Sequence, residues 1–185
     1  MTRKRLFDLA LLLPLVPLFV AVTGVLALVV RVVDGGPVFF RQPRVGAGGR
    51  EFTVWKLRTM TCEAEVAARR PTRFGRWLRQ RGLDELPQLF NVLLGDMSLV
   101  GPRPLTPTDA ARLTALHPPF AARFAVAPGL TGLAQVCLAQ GAALTGELDA
   151  AYVRSRSAAL DLRILLRTAW MNLVGKRRGA MPMPT

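Results

Sequence analysis

An apolar run near the N-terminus constrains this chain more than any other feature. Between residues 6 and 33 only Asp8 and Arg31 are charged, and residues 9–30 carry no charge at all. Roughly 20 apolar residues suffice to cross the hydrocarbon core of a bilayer, so the run is read as membrane-inserted. It lacks the pattern of a cleaved signal, being too long and having no small-residue cleavage site before Arg31, and is expected to stay on the protein. Pro14 and Pro17 each remove a helix hydrogen bond, which predicts a kink. Basic residues flank both ends, with Arg3, Lys4 and Arg5 before and Arg31, Arg41 and Arg44 after. A simple span concentrates its basic excess on the cytoplasmic side. Two topologies therefore stay open on this pattern: a single span, and a broken helix that dips into one leaflet and returns.

The 185 residues amount to one domain. A net charge of +13 attracts polyanions, whether nucleic acid, anionic lipid or phosphorylated substrate, and does not choose among them. Cys62 and Cys137 lie far apart with no Cys-x-x-Cys pattern, so neither a disulfide framework nor a zinc site is indicated. His117, the single histidine, precedes Pro118-Pro119 and suits a surface or capping role. Between Glu65 and Asp109 the only carboxylates are Asp84, Glu85 and Asp96. Any acid, nucleophile or metal role in mid-chain falls on these three.

Gly35-Gly36-Pro37 makes a turn out of the apolar run. Residues 38–42 and 52–57 read as two short strands, joined through the glycines at 46–49 into a hairpin. Those glycines lack the strand, loop and helix order of a nucleotide cradle. Arg69, Arg70, Arg73, Arg76, Arg79 and Arg81, interleaved with Phe74, Trp77 and Leu78, predict a helix with a basic face. Such a face lies on anionic lipid, meets water or contacts nucleic acid.

Residues 83–95 then predict one helix, with Asp84 at its N-cap or first turn, Pro87 tolerated in that turn and Gly95 closing it. Leu86, Leu89, Phe90, Leu93 and Leu94 would form its apolar face. A helix start favours ionised carboxylates and bound phosphate; Asp-Glu there is also ordinary capping chemistry. Further on, Thr106-Pro107 caps a helix to about residue 116. A short helix covers 120–124, a loop covers 127–136, and helices cover 147–156 and 158–174, the last amphipathic. Lys176-Arg177-Arg178 and the Met-Pro tail read as disordered or lipid-touching.

The string Leu83-Asp84-Glu85-Leu86-Pro87-Gln88-Leu89-Phe90-Asn91-Val92, followed by Gly95-Asp96-Met97-Ser98-Leu99-Val100-Gly101-Pro102-Arg103-Pro104, resembles the core signature of the bacterial sugar transferases. These are monotopic polyprenyl-phosphate phosphoglycosyl transferases. The Gly-Pro-Val-Phe-Phe-Arg-Gln and Trp-Lys-Leu-Arg-Thr-Met strings around the hairpin are similar to the same family, and the resemblance runs from residue 4 to about 174. It implies a mixed, mainly α fold with a small β-hairpin, in which a re-entrant N-terminal membrane helix underlies a small cytoplasmic catalytic domain with amphipathic interfacial helices. The expected division is a membrane helix over 1–35, a catalytic domain over 36–176 and a flexible tail over 177–185.

The implied reaction moves a sugar 1-phosphate from a nucleoside diphosphate sugar, usually a UDP-sugar, to polyprenyl phosphate and releases UMP. It would take place at the cytoplasmic face of a bacterial inner membrane, as the first membrane step of exopolysaccharide, capsule, O-antigen or glycoprotein glycan assembly. By resemblance Asp84 is the nucleophile, Glu85 positions Mg²⁺ or supports the leaving nucleotide, and both are the implied Mg²⁺ ligands. A carboxylate can form an acyl phosphate, and a divalent cation can neutralise a diphosphate. Lys56, Arg58, Arg79, Pro102, Arg103, Pro104, Gln135 and Asp149 are the implied substrate or phosphate-binding residues. The bland readings are a solvated strand face for Lys56 and Arg58 and a helix surface for Asp149. Inner-membrane lipid and a second copy of the chain are the further partners, and nucleic acid is not among them.

The chain departs from the family pattern in several places. No Ser precedes the prolines of the membrane run. Ala127 stands for the usual Arg, Leu133 for the usual Trp, and the Asn-Gly-Arg that commonly follows Val136 is missing. The competing reading is a non-catalytic, membrane-anchored basic protein that binds anionic lipid or nucleic acid. It accounts for the charge and the apolar run but not for the central string.

Overall fold

The apolar run folds as a helix broken once. In the computed structural model, which describes residues 2–174, α1 (Arg3–Leu12) leads through a 3-10 turn, Leu13–Leu15, into α2 (Val16–Val29). Pro14 lies in that turn. Pro17 falls in the first turn of α2, where a missing N–H removes no bond, so the two prolines make a single break. A wider turn, Val30–Asp34, follows, and Gly35 and Gly36 end the segment at φ 62° and 60°. Asp8, Leu12, Phe19, Thr23, Leu26 and Val30 are buried, and their spacing of fours with one three and one seven puts them on one face. Leu12 packs with Val92, Met97 and Ile164, whereas Leu26 and Val30 pack with Leu57 and Leu78. Phe19 meets Phe90 edge-on, with ring centroids 5.0 Å apart. The remaining face exposes Leu6, Leu13, Leu15, Leu18, Val25 and Leu28.

Polar ties hold both ends of this segment to the same body. Lys4 bridges Asp8 at 2.7 Å and Asp161 at 2.9 Å, and Ser98 donates to Asp8 at 2.7 Å. Tyr152 donates to Asp161 at 2.8 Å, and its hydroxyl oxygen also lies 3.0 Å from the carbonyl oxygen of Val100. Arg5 donates to the carbonyls of Val92 and Leu93. At the far end, Thr72 donates to Asp34 at 2.7 Å.

Beyond the segment, β1 (Phe39–Val45) and β2 (Glu51–Leu57) form the expected antiparallel hairpin, with Phe39 opposite Leu57. The pairing runs three residues further along β1 than expected. α3 (Arg73–Arg81) starts at Thr72, whose hydroxyl accepts from the Gly75 N–H at 2.8 Å, and stops at Gly82 in the left-handed region. The helix expected over 83–95 is divided: a 3-10 turn, Leu83–Glu85, precedes α4 (Gln88–Leu94). Pro87 between them has no N–H to continue the ladder. Of the two positions expected for Asp84, N-cap or first turn, it takes the first turn, that of the 3-10 stretch. The expected apolar face is corrected. Gln88, Asn91 and Val92 are the buried residues of α4, while Phe90 and Leu94 are exposed. α4 ends at Gly95, which takes φ 95°.

β3 (Ser98–Val100) and β4 (Gly129–Thr131) pair in parallel, a second sheet not foreseen. Between them α5 (Pro107–Leu116) is capped by Thr106, which accepts from the Asp109 N–H, and a 3-10 stretch covers Pro118–Ala125. α6 (Leu133–Val136), α7 (Ala142–Ser155) and α8 (Ala158–Val174) complete the chain. α7 begins earlier than the expected residue 147. The fold is thus mainly helical with two small sheets. The basic cluster at 176–178 and the tail fall outside the described residues.

β3 and β4 pair closely because three glycines leave room. A Cβ at Gly129 would lie 2.0 Å from the nitrogen of Gly101, and one at Gly132 would lie 2.3 Å from the Gly101 carbonyl oxygen. Gly129→Ala should therefore cost about 3 kcal/mol or more, read as a fall in the thermal midpoint of the detergent-solubilised protein. A wild-type midpoint would show that the two strands separate freely.

Candidate active site

The short turn before α4 and the Pro-Arg-Pro segment after β3 face each other across one cleft. Its volume is about 1450 Å³, and Lys56, Arg79, Asp84, Glu85 and Arg103 all line it. The Gly82 and Pro87 breaks hold Asp84 and Glu85 in a tight 3-10 turn rather than along a regular helix. Glu85 Oε1 accepts from Lys56 Nζ and from Arg103 Nη2, each at 2.6 Å, and Oε2 accepts from Arg103 Nη1 at 3.3 Å. Burial alone would raise the Glu85 carboxyl, but Arg103 and Lys56 outweigh it and hold the group at about 2.

Asp84 behaves oppositely. It is 8% exposed, and no ion pair among the described residues holds it. Burial pushes its carboxyl up, the charge of Glu85 pushes the same way, and Lys56 and Arg79 oppose them. Two neighbouring carboxylates are thus driven apart: one is permanently charged and tied down, the other is a desolvated base with a free edge. Arg79 lines the same cleft and donates to Thr59 Oγ1 at 2.7 Å. Asp96, the third mid-chain carboxylate, pairs with Arg50 at 3.1 Å on the surface.

Arg103 sits on a main chain fixed at three successive carbonyls. Pro102 O accepts from the Gly129 N–H at 2.9 Å, Arg103 O from Arg123 Nη2 at 2.6 Å, and Pro104 O from Arg44 Nη1 at 3.1 Å. The flanking prolines have no N–H to offer, so the segment is held through its oxygens.

Two expected ligands are bonded to other groups of the protein. Arg58 is buried, and its guanidinium donates to the carbonyls of Pro37, Met60, Asp34 and Gly35. It braces the turn that leaves the apolar helix while also lining the cleft, with four of its five N–H groups given to backbone carbonyls. Asp149 is neither on a helix surface nor on the cleft: it is 2% exposed and lies 3.1 Å from Arg123 Nη2. Burial raises its carboxyl to about 6 despite that cation. Lys56 points at Glu85 rather than lying on an open strand face. Gln135 lines the cleft and donates to the Leu130 carbonyl at 3.3 Å. Where Asn-Gly-Arg is missing, Leu138, Ala139 and Gln140 line the cleft instead, and Leu138 has φ 53°, a left-handed conformation that suits glycine. Ala127 does not line it. Sequence reasoning missed Arg44 and Arg123, for which no local signal exists.

The donor set bears on the expected metal. Asp84 and Glu85 are the only acidic side chains lining the cleft, and no cluster of three metal-binding side chains occurs among the described residues. Mg²⁺ is commonly held by one or two carboxylates plus substrate phosphates. The residues fit that mode, with Asp84 the carboxylate not already neutralised.

The chain thus carries one long apolar helix beside a cleft lined by two carboxylates and several arginines. Residues 1–175 match the bacterial sugar transferase family, and the chain belongs to it. It is 44% identical over 181 residues to a UDP-glucose:undecaprenyl-phosphate glucose-1-phosphate transferase of Caulobacter vibrioides, covering 90% of this chain and 68% of that protein. An undecaprenyl-phosphate glucose phosphotransferase of Komagataeibacter xylinus is 43% identical, over 91% of this chain and 35% of its own length. An uncharacterised sugar transferase of Bacillus subtilis is 41% identical, over 95% and 90%. Relative to several longer relatives, then, the chain spans well under half their length.

The ionised Glu85 adds stability because its folded value lies below the ordinary 4.5. That contribution is complete above about pH 4.5 and is lost as the pH falls towards 2. Glu85→Gln should lower stability at neutral pH by about 3 kcal/mol and flatten this acid slope, as thermal midpoints taken across the pH range would show. An unchanged slope would mean that the ion pairs do not hold in solution.

Proposed function

We propose that this chain is a phosphoglycosyl transferase that moves a sugar 1-phosphate from a UDP-sugar to undecaprenyl phosphate through an aspartyl phosphosugar. The observation that carries the reading is the contrast between Asp84, buried and free of ion pairs, and Glu85, fixed by Lys56 and Arg103. Asp84 Oδ attacks the phosphorus that bears the sugar. The bond to the bridging oxygen breaks, and its electron pair leaves with UMP. A phosphate oxygen of undecaprenyl phosphate then attacks the same phosphorus, forms the diphosphate and returns the Asp84 carboxylate. Desolvation raises the basicity of Asp84 and thereby its strength as a nucleophile. Arg103, Lys56 and Arg79 supply positive charge where the diphosphate must lie, and Arg forms bidentate bonds to phosphate. Asp84 and Glu85 are the residues that would hold Mg²⁺, which would neutralise further negative charge on the diphosphate. With Ala127 off the cleft, Arg44 and Arg69 are the lining arginines that take the place of the family's missing positive charge.

The same reading makes residues 1–35 a re-entrant membrane segment whose ends share one face of the bilayer, beneath a cytoplasmic catalytic domain over 36–176. What supports it is that Lys4, Arg5 and Asp8 at one end and Asp34 at the other bond to a single body. A perpendicular span would tear charged, buried ties from their partners.

Incubation with the matching UDP-sugar and no undecaprenyl phosphate should leave a phosphosugar mass on the peptide containing Asp84. Asp84→Asn should abolish the adduct and cut UMP release about 10³-fold or more. Full turnover by that variant would remove the covalent route. In a Cys62→Ser, Cys137→Ser background, Thr2→Cys and Pro37→Cys should both resist an impermeant thiol reagent in intact spheroplasts and both react once the membrane is opened. Reaction at position 2 alone in intact spheroplasts would establish a simple span.

A further inference from the structure

The buried pair Arg123 and Asp149 does not line the cleft, and the reaction above does not use it. Arg123 is 4% exposed and Asp149 2%, on the 3-10 stretch Pro118–Ala125 and on α7. Such pairs rarely stabilise a protein more than apolar residues of the same volume would, because desolvating both charges costs about as much as their attraction returns. This one is also incompletely satisfied. Arg123 Nη1 has no hydrogen-bond partner, and Asp149 Oδ2 lies 3.1 Å from Arg123 Nη2 without an aligned bond. The short, well-formed bond goes elsewhere: Arg123 Nη2 donates to the carbonyl of Arg103 at 2.6 Å. That carbonyl is the central of the three by which the Pro-Arg-Pro segment is pinned, and the Arg103 side chain leads from it to Glu85.

Seating is exact at both ends of this link. Phe120 lies under the Arg123 guanidinium at 4.5 Å, and α7 approaches so closely that a Cβ at Gly146 would come within 2.7 Å of the Phe120 ring. Asp149, three residues beyond Gly146, is thereby set against Arg123.

We infer that Arg123, seated by Asp149, is a positioning residue that acts through the main chain of Arg103 to aim its guanidinium at Glu85 and the substrate's phosphate. The inference rests on the proposed function, since it assigns Arg103 to the diphosphate. A misplacement of a catalytic group by about 1 Å can cost on the order of 100-fold in rate, so a link of this kind acts on turnover while leaving most substrate contacts in place.

The test is a double-mutant cycle on UMP release, with Arg123→Ala, Arg103→Ala and the double variant, each compared with wild type in detergent or nanodiscs. Arg123→Ala is expected to lower kcat about tenfold or more, with KM changed less than kcat. In the Arg103→Ala background the same substitution is expected to change the rate less than about twofold, because the group it positions is gone. Should Arg123→Ala fail to fold, the cycle is run with Arg123→Lys, which keeps the buried charge but replaces the guanidinium by an ammonium on a shorter side chain that draws back from the Arg103 carbonyl. Asp149→Asn is expected to follow the same pattern more weakly. Equal losses in both backgrounds would overturn the positioning role and leave Arg123 a structural residue. A wild-type chain that neither releases UMP nor binds UDP would remove the proposed function, and this role with it.

Discussion

Placing Glu85 in a half-buried turn is unfavourable until Lys56 and Arg103 close on it, and the arrangement of the cleft follows from that requirement. Lys56 comes from β2, Arg103 from the segment after β3, and Glu85 from the turn after α3, so one carboxylate draws three regions of the chain together. Both cations spend their charge on Glu85 in the free protein, which leaves neighbouring Asp84 desolvated and less neutralised than it would otherwise be. An anionic group entering the cleft would compete for the same guanidinium and ammonium groups. The cleft is therefore preorganised for anions by an anion of its own.

The parts of this fold that can be read from sequence are those whose causes are local. The hairpin follows from alternating aromatic and β-branched residues around the glycines at 46–49, and α5 from the Thr106-Pro107 start. α8 keeps the bounds its periodicity implies. The β3–β4 pairing could not be read this way: each strand has three residues, its partner lies far along the chain, and only the close approach of Gly101, Gly129 and Gly132 reveals it. The division of the 83–95 helix turned on Pro87, which suits a first turn equally well and so gave no warning that it would start a second helix.

The site divides along the same line. Asp84, Glu85, Lys56, Arg79 and Arg103 were legible as a set through the family-like strings, and all five line one cleft. Arg58 and Asp149 come from equally family-like strings, yet their side chains turn to backbone carbonyls and to a buried arginine. Charge in a sequence says that a group must be compensated; it does not say whether substrate or protein will do so. Arg123 had no signal because its partners, the Arg103 carbonyl and Asp149, lie on separate elements.

The ties at the start of α1 also set an order of events during synthesis. Lys4, Arg5 and Asp8 are translated before their partners, Ser98, the α4 carbonyls and Asp161. Until those partners exist, a charged Asp8 at the edge of an apolar run is held by water and not by hydrocarbon. The native ties at the start of α1 can therefore close only after α8 has been made.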